Sequence, residues 1–194
     1  MQKIIARIAL LFALFPLLLQ AELRQSTDLE TRLVSWKLVE QNFELEIIQR
    51  LPDQTRAFFQ ARGFPTKTAD QIATHCVFQT IARNTATGPE ATAITIELAD
   101  WRIKQQGKTR PVKLKEDWLA EWKTDPHISN KAKIAFRWAT LPTAQTYQPG
   151  GDYNWGMVSF GPGPGNTFDL KASWKTGQEN HSRWITSIQC PTDR

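Results

Sequence analysis

Apolar and polar residues alternate with a period of two in short runs closed off by Gly, Pro and Asn, and this pattern restricts the chain to packed β-sheets more than any other feature does. Val34, Trp36 and Leu38 alternate with Ser35 and Lys37; Phe43, Leu45 and Ile47 alternate with Glu44 and Glu46. The two runs meet at Glu40-Gln41-Asn42, as one long strand or a hairpin. Cys76 to Arg83 is rich in β-formers and runs into the turn-like stretch Asn84–Pro89. Thr92 to Ile103 alternates through Ile94, Ile96 and Leu98, with Trp101 and Ile103 beyond. From Lys133 to Thr140, Ile134, Phe136 and Trp138 alternate with Lys133, Ala135 and Arg137, the pattern of a further strand with its indole in the core.

Tyr153 to Phe160 follows a turn at Pro149-Gly150-Gly151. Thr167 to Lys175 and His181 to Cys190 then make a hairpin around Thr176–Asn180. Phe168, Leu170, Ala172 and Trp174 share one face; Trp184, Thr186, Ile188 and Cys190 share the returning one. No strand–helix–strand rhythm and no internal repeat interrupts this order. The expectation is a mainly β chain, an antiparallel immunoglobulin-like β-sandwich of about seven strands.

Two segments carry the helical period instead. Pro52 suits a first helical position, Asp53 the positive end of the helix dipole, and Gly63 a stop, with Ala57, Phe58 and Ala61 on one stripe between them. A second start is placed at Thr68, with Gln71 completing a capping box and Ile72 pointing inward. These form a short helical insertion after the first strands. In LKEDWLAEWK, Leu114, Trp118 and Trp122 fall at i, i+4 and i+8, an amphipathic helix laid on the sheet.

The first twenty-one residues say where the protein works. Lys3 and Arg7 precede the apolar run Ile8–Leu19, and Gln20-Ala21 leads into the charged Glu22-Leu23-Arg24, as in a secretory signal peptide cleaved after Ala21. The run is shorter than the roughly 20 residues of a bilayer-spanning helix. The expected location is periplasmic or extracellular, with residues 22–194 forming one exported domain and no transmembrane span after cleavage. Removing the leader takes away two bases and no acid, lowering the formal net charge from +5 to +3. The remaining Lys and Arg are spread along the chain rather than grouped, which argues against nucleic acid as a partner.

Two cysteines, Cys76 and Cys190, fit an oxidising destination and are expected to pair. A bridge closing about 100 residues stabilises by up to roughly 4–5 kcal/mol on chain-entropy reasoning. The alternatives are two buried thiols or a thiolate metal site.

Chemistry-bearing motifs are sparse. No H-x-x-x-H, HExxH or G-x-S-x-G spacing surrounds His75, His127, His181 or any serine, so no catalytic residue is assigned. A copper site is the sharpest metal reading. His75, Met157 and His181, with Cys76 and Cys190, supply the soft sulfur and imidazole ligands that suit copper(I). Gly161-Pro162-Gly163-Pro164-Gly165 resembles a phosphate loop, but its two prolines lack the N–H groups an anion nest needs.

Eight tryptophans are the other resource. As core they supply large buried area; in a sugar-binding module two or three would stand exposed on one face. Parity places Trp138 and Trp174 inside and Trp155, beside Tyr153, outside. The expected function is a non-enzymatic exported accessory or binding protein without a cofactor, its partner another exported or membrane-associated protein. Contact surfaces are expected from the Trp118/Trp122 helix and from the Tyr147–Thr167 region with Tyr153 and Trp155. Copper handling and carbohydrate binding are the alternatives.

Overall fold

The computed structural model describes residues 21–193, so the leader lies outside them but for Ala21. Along the chain come β1 (Glu22–Thr27), β2 (Val34–Glu40), β3 (Phe43–Gln49), α1 (Pro52–Gln60), α2 (Thr66–Ala73) and β4 (Val77–Asn84). They are followed by β5 (Ile94–Glu97), β6 (Arg102–Gln105), β7 (Lys108–Pro111), α3 (Lys115–Glu121) and α4 (Asn130–Ala139). The last four elements are β8 (Ala144–Tyr147), β9 (Tyr153–Ser159), β10 (Thr167–Thr176) and β11 (Glu179–Gln189).

Two antiparallel sheets face each other. The first has the order β1-β2-β3-β4-β9. In the second, β10 is central: β11 pairs along one side, β5 and β6 lie end to end along the other, and β8 and β7 flank β5 and β6. What is present of the immunoglobulin-like expectation is this pair of facing antiparallel sheets. The runs meeting at Glu40–Asn42 are the β2–β3 hairpin, with Gln41 at φ 50° in its turn.

Alternation explains the core. Trp36, Leu38, Leu45, Ile47 and Phe78 point inward from the first sheet and meet Ile96, Ile103, Leu170 and Trp174 from the second. The rings of Phe43 and Trp174 stack at 4.5 Å, and those of Phe160 and Phe168 at 5.3 Å. Cys76 and Cys190 form the expected disulfide, both buried, with Cα atoms 5.3 Å apart and a sequence separation of 114. It ties the residue preceding β4 to the end of β11, joining the two sheets.

Three expectations are corrected. Thr92–Ile103 is not one strand: a 3-10 turn at Leu98–Asp100 splits it, and the Trp101 indole Nε1 donates to the Ser173 carbonyl at 2.9 Å, pinning the break against β10. The returning strand β11 changes parity through a bulge. Ser187 takes φ 59°, its N–H donating to Asp169 Oδ1 at 3.0 Å, so Ile185 and Ile188 both face inward and Trp184 turns out.

The third correction is the largest. Lys133–Thr140 is not a strand but most of α4. Ser129 caps it by accepting from the Ala132 N–H at 3.1 Å, and Ala132 and Phe136 make the buried stripe at i, i+4. An alternating run of apolar residues also satisfies a helix when every fourth position is apolar, and here the cap decided. Trp138, expected inside, is 85% exposed.

Helices α1–α4 build a second, smaller core on the outer face of the first sheet, where Phe59, Phe64, Ile72, Trp118, Trp122 and Phe136 pack over Val77 of β4 and Met157 of β9. Trp118 and Trp122 are therefore interior residues, 2% and 4% exposed, rather than a contact surface. Their i, i+4 stripe is consumed by Phe64 and Phe136, with ring centroids 5.2 Å apart for Phe64–Trp122 and 4.8 Å for Trp122–Phe136.

Candidate functional site

On β4, Phe78, Thr80, Ala82 and Asn84 face the sandwich core, so Val77, Gln79, Ile81 and Arg83 face outward. In register on β9, Met157 lies opposite Gln79, Trp155 opposite Ile81 and Tyr153 opposite Arg83. The helical core covers only the Val77–Met157 end. Beyond it, the ladder emerges into solvent with Trp155 56% and Tyr153 52% exposed.

Gly156 brings α4 beside this ladder. The chain leaving α4 crosses β9 there, the Leu141 N–H donating to the Met157 carbonyl at 3.1 Å, and a Cβ on Gly156 would collide with the backbone of Thr140 and Leu141. The crossing sets Trp138, at the end of α4, next to Trp155. Trp138 and Ile134, four residues apart, form the stripe of α4 opposite Phe136.

Two open hollows share Trp155. One, of about 490 Å³, is walled by Trp138, Ile134 and Arg137 of α4 together with Lys115, Thr140, Pro142 and Asn154. The other, of about 370 Å³, runs over Gln79, Ile81 and Met157 between Phe58, Tyr153 and two guanidinium groups, Arg50 and Arg83. Both volumes fall in the roughly 300–1,000 Å³ span of small-molecule sites. Asn154 is held in the first hollow, its Nδ2 donating to Gln145 Oε1 at 2.8 Å and its Oδ1 accepting from the Trp155 N–H at 2.7 Å.

Arg50, Arg83, Lys115 and Arg137 line the trough these two hollows make, and among the described residues the lining holds no carboxylate, although Glu46 stands on the neighbouring strand opposite Ile81. The Arg83 guanidinium lies 4.9 Å from the Tyr153 ring centroid; Arg62 and Arg50 lie 3.3 Å and 5.7 Å from that of Phe58. Nε of Arg50 and Nε of Arg83 are buried without a hydrogen-bond partner. Burial, and then the positive charge of Arg62, push the Arg50 pKa below its usual range. On the adjoining strand Glu44 stands opposite Arg83 and Glu46 opposite Ile81; Lys37 engages the Glu44 carboxylate at 3.0 Å, and among the described residues no ion pair engages that of Glu46.

The other sequence candidates are dispersed. Cys76 and Cys190 are committed to the disulfide. His75 packs edge-on against Trp118 at 4.7 Å, and its Nδ1–H donates to the Gln71 carbonyl at 2.6 Å. Met157 lies under the helices, and His181 stacks on Trp174 at 5.5 Å in the other sheet. Among the described residues no group of three or more His, Cys, Asp or Glu side chains gathers. The Gly161–Gly165 loop is bound back onto the disulfide end: the Gly161 N–H donates to the His75 carbonyl at 2.8 Å and the Gly165 N–H to that of Cys190 at 3.0 Å.

Of the four residues expected to form a binding surface, Tyr153 and Trp155 stand in the trough, while Trp118 and Trp122 are packed beneath the helices beside it. Arg50, Arg83 and Trp138 were missed by sequence reasoning. The arginines sit outside any motif, and the one signal for Trp138 was its i, i+4 relation to Ile134 behind a serine cap. The chain matches no protein-family model, no curated protein and no solved structure.

Proposed function

We propose that the protein is a non-enzymatic, exported binding protein whose trough takes carbohydrate. One observation carries this reading: three large aromatic side chains, Trp138, Trp155 and Tyr153, stand exposed along two adjoining hollows that share Trp155, while five of the eight tryptophans are buried. Exposed indoles forgo the favourable burial of their apolar area, and grouping them in a shallow, partly polar hollow serves recognition of a ligand with apolar faces and polar edges. Pyranose rings have that character. Asn154 and Gln79 supply orienting amides beside the aromatic walls.

The leader and the disulfide support placing this activity outside the cytosol. The test is calorimetric titration across a broad oligosaccharide panel. At least one glycan family is expected to bind, with Trp155→Ala abolishing the heat and Trp184→Ala, an exposed indole on the other sheet, leaving it unchanged. A panel without any binder refutes the reading.

A second reading, docking to another exported protein, is favoured by β1. This edge strand is exposed along its whole length and among the described residues pairs only with β2, which leaves one ladder of backbone groups available for strand addition.

A further inference from the structure

We infer that the trough selects acidic glycans, oligosaccharides bearing carboxylate or sulfate groups, through Arg50 and Arg83. The inference rests on the carbohydrate reading and deepens it. Register places the groups as a ladder along β4. Gln49 pairs with Phe78, so Arg50, one residue beyond β3, is level with Val77. Arg83 is six residues further on, roughly 20 Å of strand away at about 3.3 Å per residue. Between them lie the rungs Gln79–Met157 and Ile81–Trp155, with Tyr153 level with Arg83. A ligand in this hollow thus meets the Trp155 and Tyr153 rings together with the Arg50 and Arg83 guanidiniums.

Both guanidiniums are poised for an anion. Neither joins an ion pair or hydrogen bond among the described residues, and each has its Nε buried and unpartnered. A guanidinium carries five donors in a planar fork that matches carboxylate or sulfate oxygens two at a time. Arg83 lies against Tyr153, and Arg50 and Arg62 against Phe58, so the forks are pre-oriented and lose less side-chain freedom on binding. The hollow beyond Trp155 adds Lys115 and Arg137 and again no acid.

Carbohydrate is favoured over an acidic peptide because the exposed walls are the flat rings of Trp138, Trp155 and Tyr153, which suit the apolar faces of sugar rings. The Met157–Ser159 stretch of the β9 edge is also closed to strand addition, Thr140 bridging to Met157 and Lys113 to Ser159. It is favoured over an anionic membrane because the aromatic groups line walls of a shallow trough and do not project from a common tip.

The test is titration calorimetry of the intact mature protein with a galacturonate tetramer, the matching neutral galactose tetramer, a glutamate peptide of equal charge and phosphatidylglycerol vesicles. The uronate is expected to bind at least tenfold more tightly than the neutral oligomer. Arg50→Gln with Arg83→Gln should erase that preference while leaving the thermal midpoint within a few degrees. The single variants Arg50→Lys and Arg83→Lys should recover it only in part, since an ammonium cannot fork. Equal binding of acidic and neutral oligomers, unaffected by the arginine variants, overturns the acidic selectivity and leaves the carbohydrate reading standing. No binding of either oligomer overturns both. Binding of the glutamate peptide or of the vesicles as tightly as the uronate overturns the inference in favour of that partner.

Discussion

The two faces of β4 are chemically opposite. Inward, Phe78, Thr80 and Ala82 are sealed between the sheets, and Asn84 spends its amide on the structure, Nδ2 donating to the carbonyls of Thr92 and Tyr147 at 3.0 Å each while Oδ1 accepts from the Ala86 N–H at 3.0 Å. Outward, Gln79, Ile81 and Arg83 are covered at one end by helices and left bare at the other. The tryptophans divide the same way: Trp118 and Trp122 lock the helices down, whereas Trp138 and Trp155, a few residues along the same surface, pack against little. A strand whose inner face is fully used and whose outer face keeps unpartnered aromatic and cationic groups separates folding from recognition.

That contrast can be broken from the folding side first. Replacing Cys76 and Cys190 by Ser should cost about 4–5 kcal/mol, since the bridge closes a 114-residue separation between the sheets. Denaturant unfolding with and without reductant measures it. Trp118→Ala should cost roughly 3–5 kcal/mol through the cavity it opens among Trp122, Phe136 and His75. Asn84→Ala should cost roughly 2–4 kcal/mol, because two buried carbonyls lose their donor. Both are read as shifts of the urea midpoint at unchanged slope.

A smaller effect comes from His75. Burial is the main cause holding its pKa below the usual 6.5; the Gln71 carbonyl opposes it, Lys113 and Arg110 add to it, and Glu121 opposes it. The folded protein therefore binds fewer protons here than the unfolded chain. The stability this group contributes is complete above about pH 6.5 and declines as pH falls below that value. His75→Gln should flatten the slope of the urea midpoint between pH 7 and pH 5. Smallest of all, Trp138→Ala should change stability by no more than about 0.5 kcal/mol, as for other exposed positions. A large loss there would mean that the trough belongs to the core.

The sandwich was legible because strands such as β2 and β3 bury one face completely, and that forces strict alternation. The disulfide was legible from compartment logic applied to two cysteines. Two things were hidden. At α4 a run of alternating residues was compatible with both periods, and the serine cap that resolves the ambiguity is a single weak local signal. At Ser187 a bulge reversed the parity that would have placed Trp184 inside. The site was half legible: Tyr153 and Trp155 were visible as an outward pair, but their cationic neighbours come from the end of β3, from β4, α3 and α4, and only the register and the Gly156 crossing bring them together.

The most direct test is the set of indole N–H resonances of the mature protein, eight signals with one from each tryptophan, followed by NMR as the galacturonate tetramer is added. Binding at the trough should move the signals of Trp138 and Trp155 and leave those of Trp36, Trp101, Trp118, Trp122, Trp174 and Trp184 in place. Saturable binding that moves Trp184 or the core indoles while Trp138 and Trp155 stay still would contradict the account.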